Sequence, residues 1–146
     1  MPFEYDYALV LSDIPQTLDN GLSLEEHDQI DLHKAREQHL NYLKCLEDSG
    51  VKLVKVEPDD NHPDCVFVED TAIALNNRIF IANPGAPSRA GEVNAIRNKL
   101  NEIKDELNLE IGEIKNKHEA FLDGGDVLFT GKEFIIGLSN RTNQKG

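Results

Sequence analysis

A chain of 146 residues is long enough for one compact domain, which should bury roughly two-thirds of the surface its unfolded form exposes. Its 27 acidic against 15 basic residues leave a formal charge of −12, which disfavours nucleic acid, because affinity for phosphate backbones comes largely from Lys and Arg; a small cationic molecule suits that field better. Cys45 and Cys65 fit neither a disulfide framework nor zinc-ligand spacing, the N-terminus lacks the pattern of a secretory signal, and no apolar run approaches membrane-spanning length, so a soluble, cytoplasmic protein with reduced thiols and no membrane partner is expected.

In chain order, "YALVL" from Tyr7 to Leu11 reads as a buried strand. The polar loop after it holds the turn formers Pro15, Asn20 and Gly21 and should be exposed. From about residue 29 to 48, the spacing of Ile30, Ala35, Leu40, Leu43 and Leu46 predicts an amphipathic helix that Gly50 can end in a left-handed conformation. "VKLVKVEP" alternates apolar with charged residues, as a strand covered on one face does. "DCVFVED" then predicts a short buried strand bracketed by Asp64 on one side and by Glu69 and Asp70 on the other. Strand geometry would split these carboxylates between two faces, so they converge only if the chain bends near Glu69.

"TAIALNNRIFIANPG" predicts a hairpin turning at Asn76 and Asn77. A second helix should begin near Ser88 as N-cap and carry Val93, Ile96, Leu100, Ile103 and Leu107 on one face. "LEIGEIKN" is a weaker strand, and "LDGGDVLFTGKEFIIGLS" gives a second hairpin around Gly131 and Lys132 that leads to Arg141. The order helix, strand, acidic cluster, hairpin and Arg thus occurs twice, with Asp70 and Asp126 at equivalent hairpin entries and Arg89 and Arg141 beyond them. Repeated αβ units of this kind suggest small modules around a shared axis, since each alone buries too little.

The chemistry-bearing residues fall in these repeats. Paired glycines between two carboxylates in "LDGGD" permit unusual φ values and close backbone approach. Arg89 and Arg141 follow loops and could each present a planar fork to a carboxylate, although a lone loop arginine is more often solvated surface. Taken together, acidic clusters and arginines suit a zwitterionic ligand. His27, His33 and His39 lie at or around the first helix, where packed or solvated roles are commoner than chemistry. His62 and His118 precede acidic clusters, but no Cys or Ser is arranged to make either a clear base, and a strand-buried Cys65 would be an inert thiol.

"PDCVFVEDTAIALNNRIFIANPGAPSRAGEV" and "LDGGDVLFTGKEFIIGLSNRTNQKG" resemble the N-terminal half of dimethylarginine dimethylaminohydrolases, of the amidinotransferase and arginine deiminase superfamily, and the resemblance covers the chain from about Leu9 to Gly146. It implies an α/β fold, part of a five-bladed αβ propeller, or pentein, with approximate fivefold repeats, of which residues 1–146 are the N-terminal part of one domain without the C-terminal blades. It also implies hydrolysis of Nω-methylated arginine to citrulline and a methylamine by a Cys thiolate and a His that lie beyond this chain, with no metal or organic cofactor. By the motif match, Asp64, Glu69 and Asp70 would hold the guanidinium and amino end, Arg89 and Arg141 the α-carboxylate, and Asp123 would orient the catalytic histidine. Leu22 matches a lid position. Uncovered propeller edges would favour self-association. A second reading is a short product that binds arginine-like ligands or a full-length partner without catalysis; a third is deimination of unmodified arginine.

Overall fold

The computed structural model describes residues 5–23 and 29–146. His27 and part of the first charged run lie outside them. The chain divides into two units, Met1–Val66 and Phe67–Gly146.

The first unit is a strand, a helix and a parallel strand. Strand β1 (Tyr7–Leu11) pairs with β2 (Lys52–Val56) from Tyr7 opposite Lys52 to Leu11 opposite Val56. Parallel neighbours need a long crossover, and helix α1 (Leu32–Asp48) supplies it. The Asp31 side chain starts this helix by accepting the Lys34 N–H at 3.0 Å. Gly50, at φ 89°, ends it: its amide donates to the Glu47 carbonyl, and the Val51 amide donates to that of Leu46, so both orphan carbonyls are satisfied. Of the predicted apolar stripe only Leu43 is buried, beside Val10, Leu11 and Val56 in the buried set, while Leu40 stays exposed.

The loop after β1 is not uniformly exposed as predicted. Ile14 and Pro15 are buried, because Asp13 accepts the Ile14 amide and takes the Arg36 guanidinium at 2.9 Å, pinning the chain there.

The second unit opens with the antiparallel hairpin β3 (Ala72–Leu75) and β4 (Arg78–Ile81), in which Asn76 supplies the left-handed residue at φ 54°. Helix α2 (Val93–Ile103) then leads to β5 (Glu110–Glu113), parallel to β4. The helix buries Val93, Ile96 and Leu100. Leu107 lies past its regular end, in turns that close at Asn108, φ 51°, where the Leu109 amide returns to the Lys104 carbonyl. Ser88 is not the N-cap: it lies in a 3₁₀ turn, Pro87–Arg89, and Glu92 precedes the helix. The hairpin β6 (Val127–Phe129) and β7 (Phe134–Ile136) completes the unit, with Ile114, Ala120 and Leu122 packed under Ile73 and Val127.

"DCVFVED" is no strand. Residues 64–66 form turns, and Val68–Asp70 is a 3₁₀ turn. The backbone groups a ladder would use are spent locally, with Cys65 N–H on the His62 carbonyl and Thr71 N–H on that of Val68. Phe67, expected inside, is 44% exposed.

Candidate functional site

The two 3₁₀ turns, Val68–Asp70 and Gly124–Asp126, each deliver an aspartate to the start of a hairpin, as the repeat predicts. They lie against one another. A Cβ on Gly124 would stand 2.0 Å from the Glu69 carbonyl oxygen, so a side chain is excluded there. Of the two reasons for glycines in "LDGGD", close approach holds; neither Gly124 nor Gly125 has positive φ.

Arg89 is 2% exposed and pinned by two carboxylates. Its Nε donates to Glu92 at 3.0 Å and one terminal nitrogen does so at 2.7 Å; that nitrogen also reaches the Phe67 carbonyl at 3.2 Å, while the other bonds Asp70. Burial alone would lower the guanidinium pKa, but hydrogen bonds and charges from Glu92 and Asp70 outweigh it and hold it above the ordinary value. The charged form is thereby kept in a dry site, which an unpaired cation could not tolerate.

Asp123 has no exposed surface. Its Oδ1 accepts the Gly125 amide at 3.0 Å, whereas Oδ2 is buried without a hydrogen bond among the described residues, 3.2 Å from Arg141 Nε at ion-pair distance. Burial, then a hydrogen bond and negative charge from Asp70, push this carboxyl up to about 6 against the lowering influence of Gly125 and Arg141. Three residues on, Asp126 goes the other way. Burial raises it, but the Ser139 and Thr142 hydroxyls, each at 2.6 Å, and the Arg141 charge hold it below the ordinary value.

Arg141 is half-exposed, and its backbone carbonyl accepts the Gly85 amide at 3.1 Å, which ties the two arginine loops together. Asn83 reinforces this: its strand-like bridge to Leu122 and its side chain on the Ala120 carbonyl join the "ANPG" segment to "LDGGD". The second unit therefore brings Asp70, Arg89, Asp123 and Arg141 into one linked array. Glu69 is exposed beside it. In the first unit, Asp64 is buried and both its oxygens accept the amide of Leu22, whose side chain is 58% exposed. Among the histidines, His39 Nε2 lies 3.0 Å from the Leu11 carbonyl and His118 is exposed.

Sequence reasoning passed over Glu92 and Thr142, both buried. Glu92 had a signal, its spacing of three from Arg89. Thr142 had none, being one hydroxyl in a segment without periodicity.

A family profile described as "N,N dimethylarginine dimethylhydrolase, eukaryotic" matches residues 16–146. The chain belongs to this family. It is 32% identical over 132 residues to N(G),N(G)-dimethylarginine dimethylaminohydrolase of Pseudomonas aeruginosa, covering 90% of this chain and 50% of that protein. For the Streptomyces coelicolor protein of the same name the figures are 33% over 139 residues, 95% and 52%. The chain thus spans about half the length of the curated relatives it matches. Among solved structures, a mutant of the Pseudomonas aeruginosa protein complexed with citrulline superposes with a TM-score of 0.88 at 30% identity, over 99% of this chain and 54% of that one. The N-terminal domain of ArgZ, an arginine dihydrolase from cyanobacteria, shares the fold alone: TM-score 0.72, 18% identity, over 93% of this chain and 50% of that one.

Proposed function

We propose that this chain is the N-terminal part of a hydrolase that converts Nω-methylated arginine, asymmetric dimethylarginine in particular, to citrulline and dimethylamine. Family membership over residues 16–146 carries the reading. A cysteine thiolate attacks the guanidinium carbon, a histidine protonates the departing amine, and water releases citrulline from the thiouronium; both side chains belong to the part of the relatives' length that this chain does not span. A guanidinium is a poor electrophile because its charge is delocalised, so carboxylates must fix its plane and balance its charge in a dry pocket.

In this reading Asp64, Glu69 and Asp70 receive the guanidinium and amino end, Leu22 sits on a lid, and Asp123 orients the histidine. The buried Oδ2 of Asp123 supports that role, since it accepts no hydrogen bond among the described residues and a ring N–H is a donor it could take. Arg89 and Arg141 grip the α-carboxylate. Arg141 is the readier of the two, because Arg89 would have to share a guanidinium that already holds Asp70 and Glu92. The surrounding fold is a five-bladed αβ propeller, and the compartment is the cytoplasm, where thiols stay reduced.

Citrulline release from asymmetric dimethylarginine, measured on protein purified from its native source and on the 146-residue chain alone, tests the proposal. Release by the first and none by the second is expected. No release by either would overturn the hydrolase reading, and release by the chain alone would overturn the placement of the nucleophile.

A further inference from the structure

The loop after β7 carries a hydrogen-bond network whose hub is one hydroxyl. Thr142 is 2% exposed, and its Oγ1 accepts the Asp123 amide at 3.0 Å while donating to Asp126 Oδ2 at 2.6 Å. A hydroxyl has one proton to give, so both of its capacities are directed. The same Asp126 oxygen takes the Ser139 hydroxyl at 2.6 Å, and Ser139 Oγ accepts the amides of Arg141 at 3.0 Å and of Thr142 at 3.2 Å. The Thr142 carbonyl accepts the Ser139 amide at 3.1 Å. Arg141 is thus held on both sides of its backbone, by Ser139 at the amide and Gly85 at the carbonyl. Its Nε returns to Asp123 Oδ2, the residue whose amide rests on Thr142.

The ring closes through Asp123 amide, Thr142 hydroxyl, the Thr142–Arg141 backbone, the Arg141 guanidinium and the Asp123 carboxylate. We propose that Thr142 is a positioning residue whose hydroxyl sets the placement of the Asp123 carboxylate relative to the Arg141 guanidinium. This deepens the hydrolase reading and rests on it for the assignment of those two groups to the site. Without the hydroxyl, the Asp123 amide loses its acceptor and Asp126 keeps one hydroxyl donor of two. The direct tie between the "LDGGD" turn and Thr142 is then lost, and the indirect one through Ser139 remains.

The test is a pair of variants, Thr142→Val, which keeps the shape and removes the hydroxyl, and Thr142→Ser, which keeps the hydroxyl. Carbon-detected NMR of the Asp123 carboxyl in the 146-residue chain reads the placement directly. The Arg141 charge lowers that titration midpoint, whereas burial and Asp70 raise it. Loosening Arg141 in Thr142→Val should therefore move it upward, by on the order of one pH unit, and Thr142→Ser should restore it. A purely structural hydroxyl would lower the melting temperature and leave the midpoint in place, which would overturn the proposal, as would an equal shift in both variants. Ser139→Ala, a surface change that releases the Arg141 amide, is expected to move the midpoint the same way by less; no movement would count against the network even if Thr142→Val fails to fold. In the complete protein, kcat/KM for asymmetric dimethylarginine should fall on the order of 10-fold in Thr142→Val, as misplacement of a positioned group does, and recover in Thr142→Ser. If the wild-type protein releases no citrulline, the hydrolase reading fails while the titration still decides the role of Thr142.

Discussion

At Asp123 burial and the neighbouring Asp70 charge push the carboxyl up to about 6 from an ordinary 3.8. Between those values the folded chain keeps a proton that the unfolded chain has lost. The contribution to stability is therefore fully present below about pH 4 and disappears as pH rises through about 6. Asp123→Asn, which mimics the neutral acid, should remove this fall and leave the variant more stable than the wild type by on the order of 1–3 kcal/mol at neutral pH, and by nothing at about pH 4. Urea unfolding at the two pH values measures it; an unchanged pH slope would refute the shift. Asp126 predicts the reverse. Its pKa is held down, so its contribution is present above the ordinary value and lost as pH falls through the folded one, and Asp126→Asn should cost stability at neutral pH. At Gly124 the argument is steric: a methyl group 2.0 Å from the Glu69 carbonyl forces the two 3₁₀ turns apart. Gly124→Ala should lose about 3 kcal/mol in the same unfolding assay. The motif "LDGGD" announced a constrained spot in the sequence, but a choice between unusual φ and close approach needs the partner backbone, which lies more than fifty residues away.

The first helix was legible from its apolar spacing and from the local chemistry of Gly50 at its end; the Asp31 cap carries local chemistry too but was not read. Asp31 accepts the Lys34 amide and Gly50 sits at φ 89° with open space where a Cβ would stand, so the cost at each position is purely local. Asp31→Ala and Gly50→Ala should each lower stability by about 1 kcal/mol, read as a shift in urea midpoint without a change in slope. Hairpins were legible for the same reason, with Asn76 providing the left-handed residue. "DCVFVED" misled because four apolar or sulfur-bearing residues in a row satisfy a strand pattern without requiring a partner strand. What decides that segment is remote. Arg89 takes the Phe67 carbonyl and the Asp70 carboxylate, and the Leu22 amide takes the Asp64 side chain, so the bracketing acids act as anchors for loops. Likewise the Arg89–Glu92 pair displaced Ser88 as the start of the second helix, since a buried ion pair with both side chains almost fully enclosed outweighs one capping hydroxyl.

For the whole chain, opposing forces act at the surface. The hairpin of β6 and β7 exposes Leu128 at 61%, Ile135 at 53%, Ile136 at 49% and Leu138 at 62%, and its two strands pair only with each other among the described residues, so both outer edges offer unsatisfied backbone groups. An apolar, two-edged hairpin is a template for pairing with another copy. The formal charge of −12 works against that, because approaching copies repel. Repulsion between exposed charges is screened within about 10 Å at 0.1 M salt, whereas burial of apolar surface survives added salt. The 146-residue chain should therefore shift from smaller to larger species in sedimentation velocity as salt and protein concentration rise. Ile135→Lys, placing a charge in the exposed edge strand, should suppress the shift without changing the unfolding free energy in urea by more than about 0.5 kcal/mol, as expected of an exposed position. Association that instead weakens with salt would assign it to charge pairing and remove the hairpin as its cause.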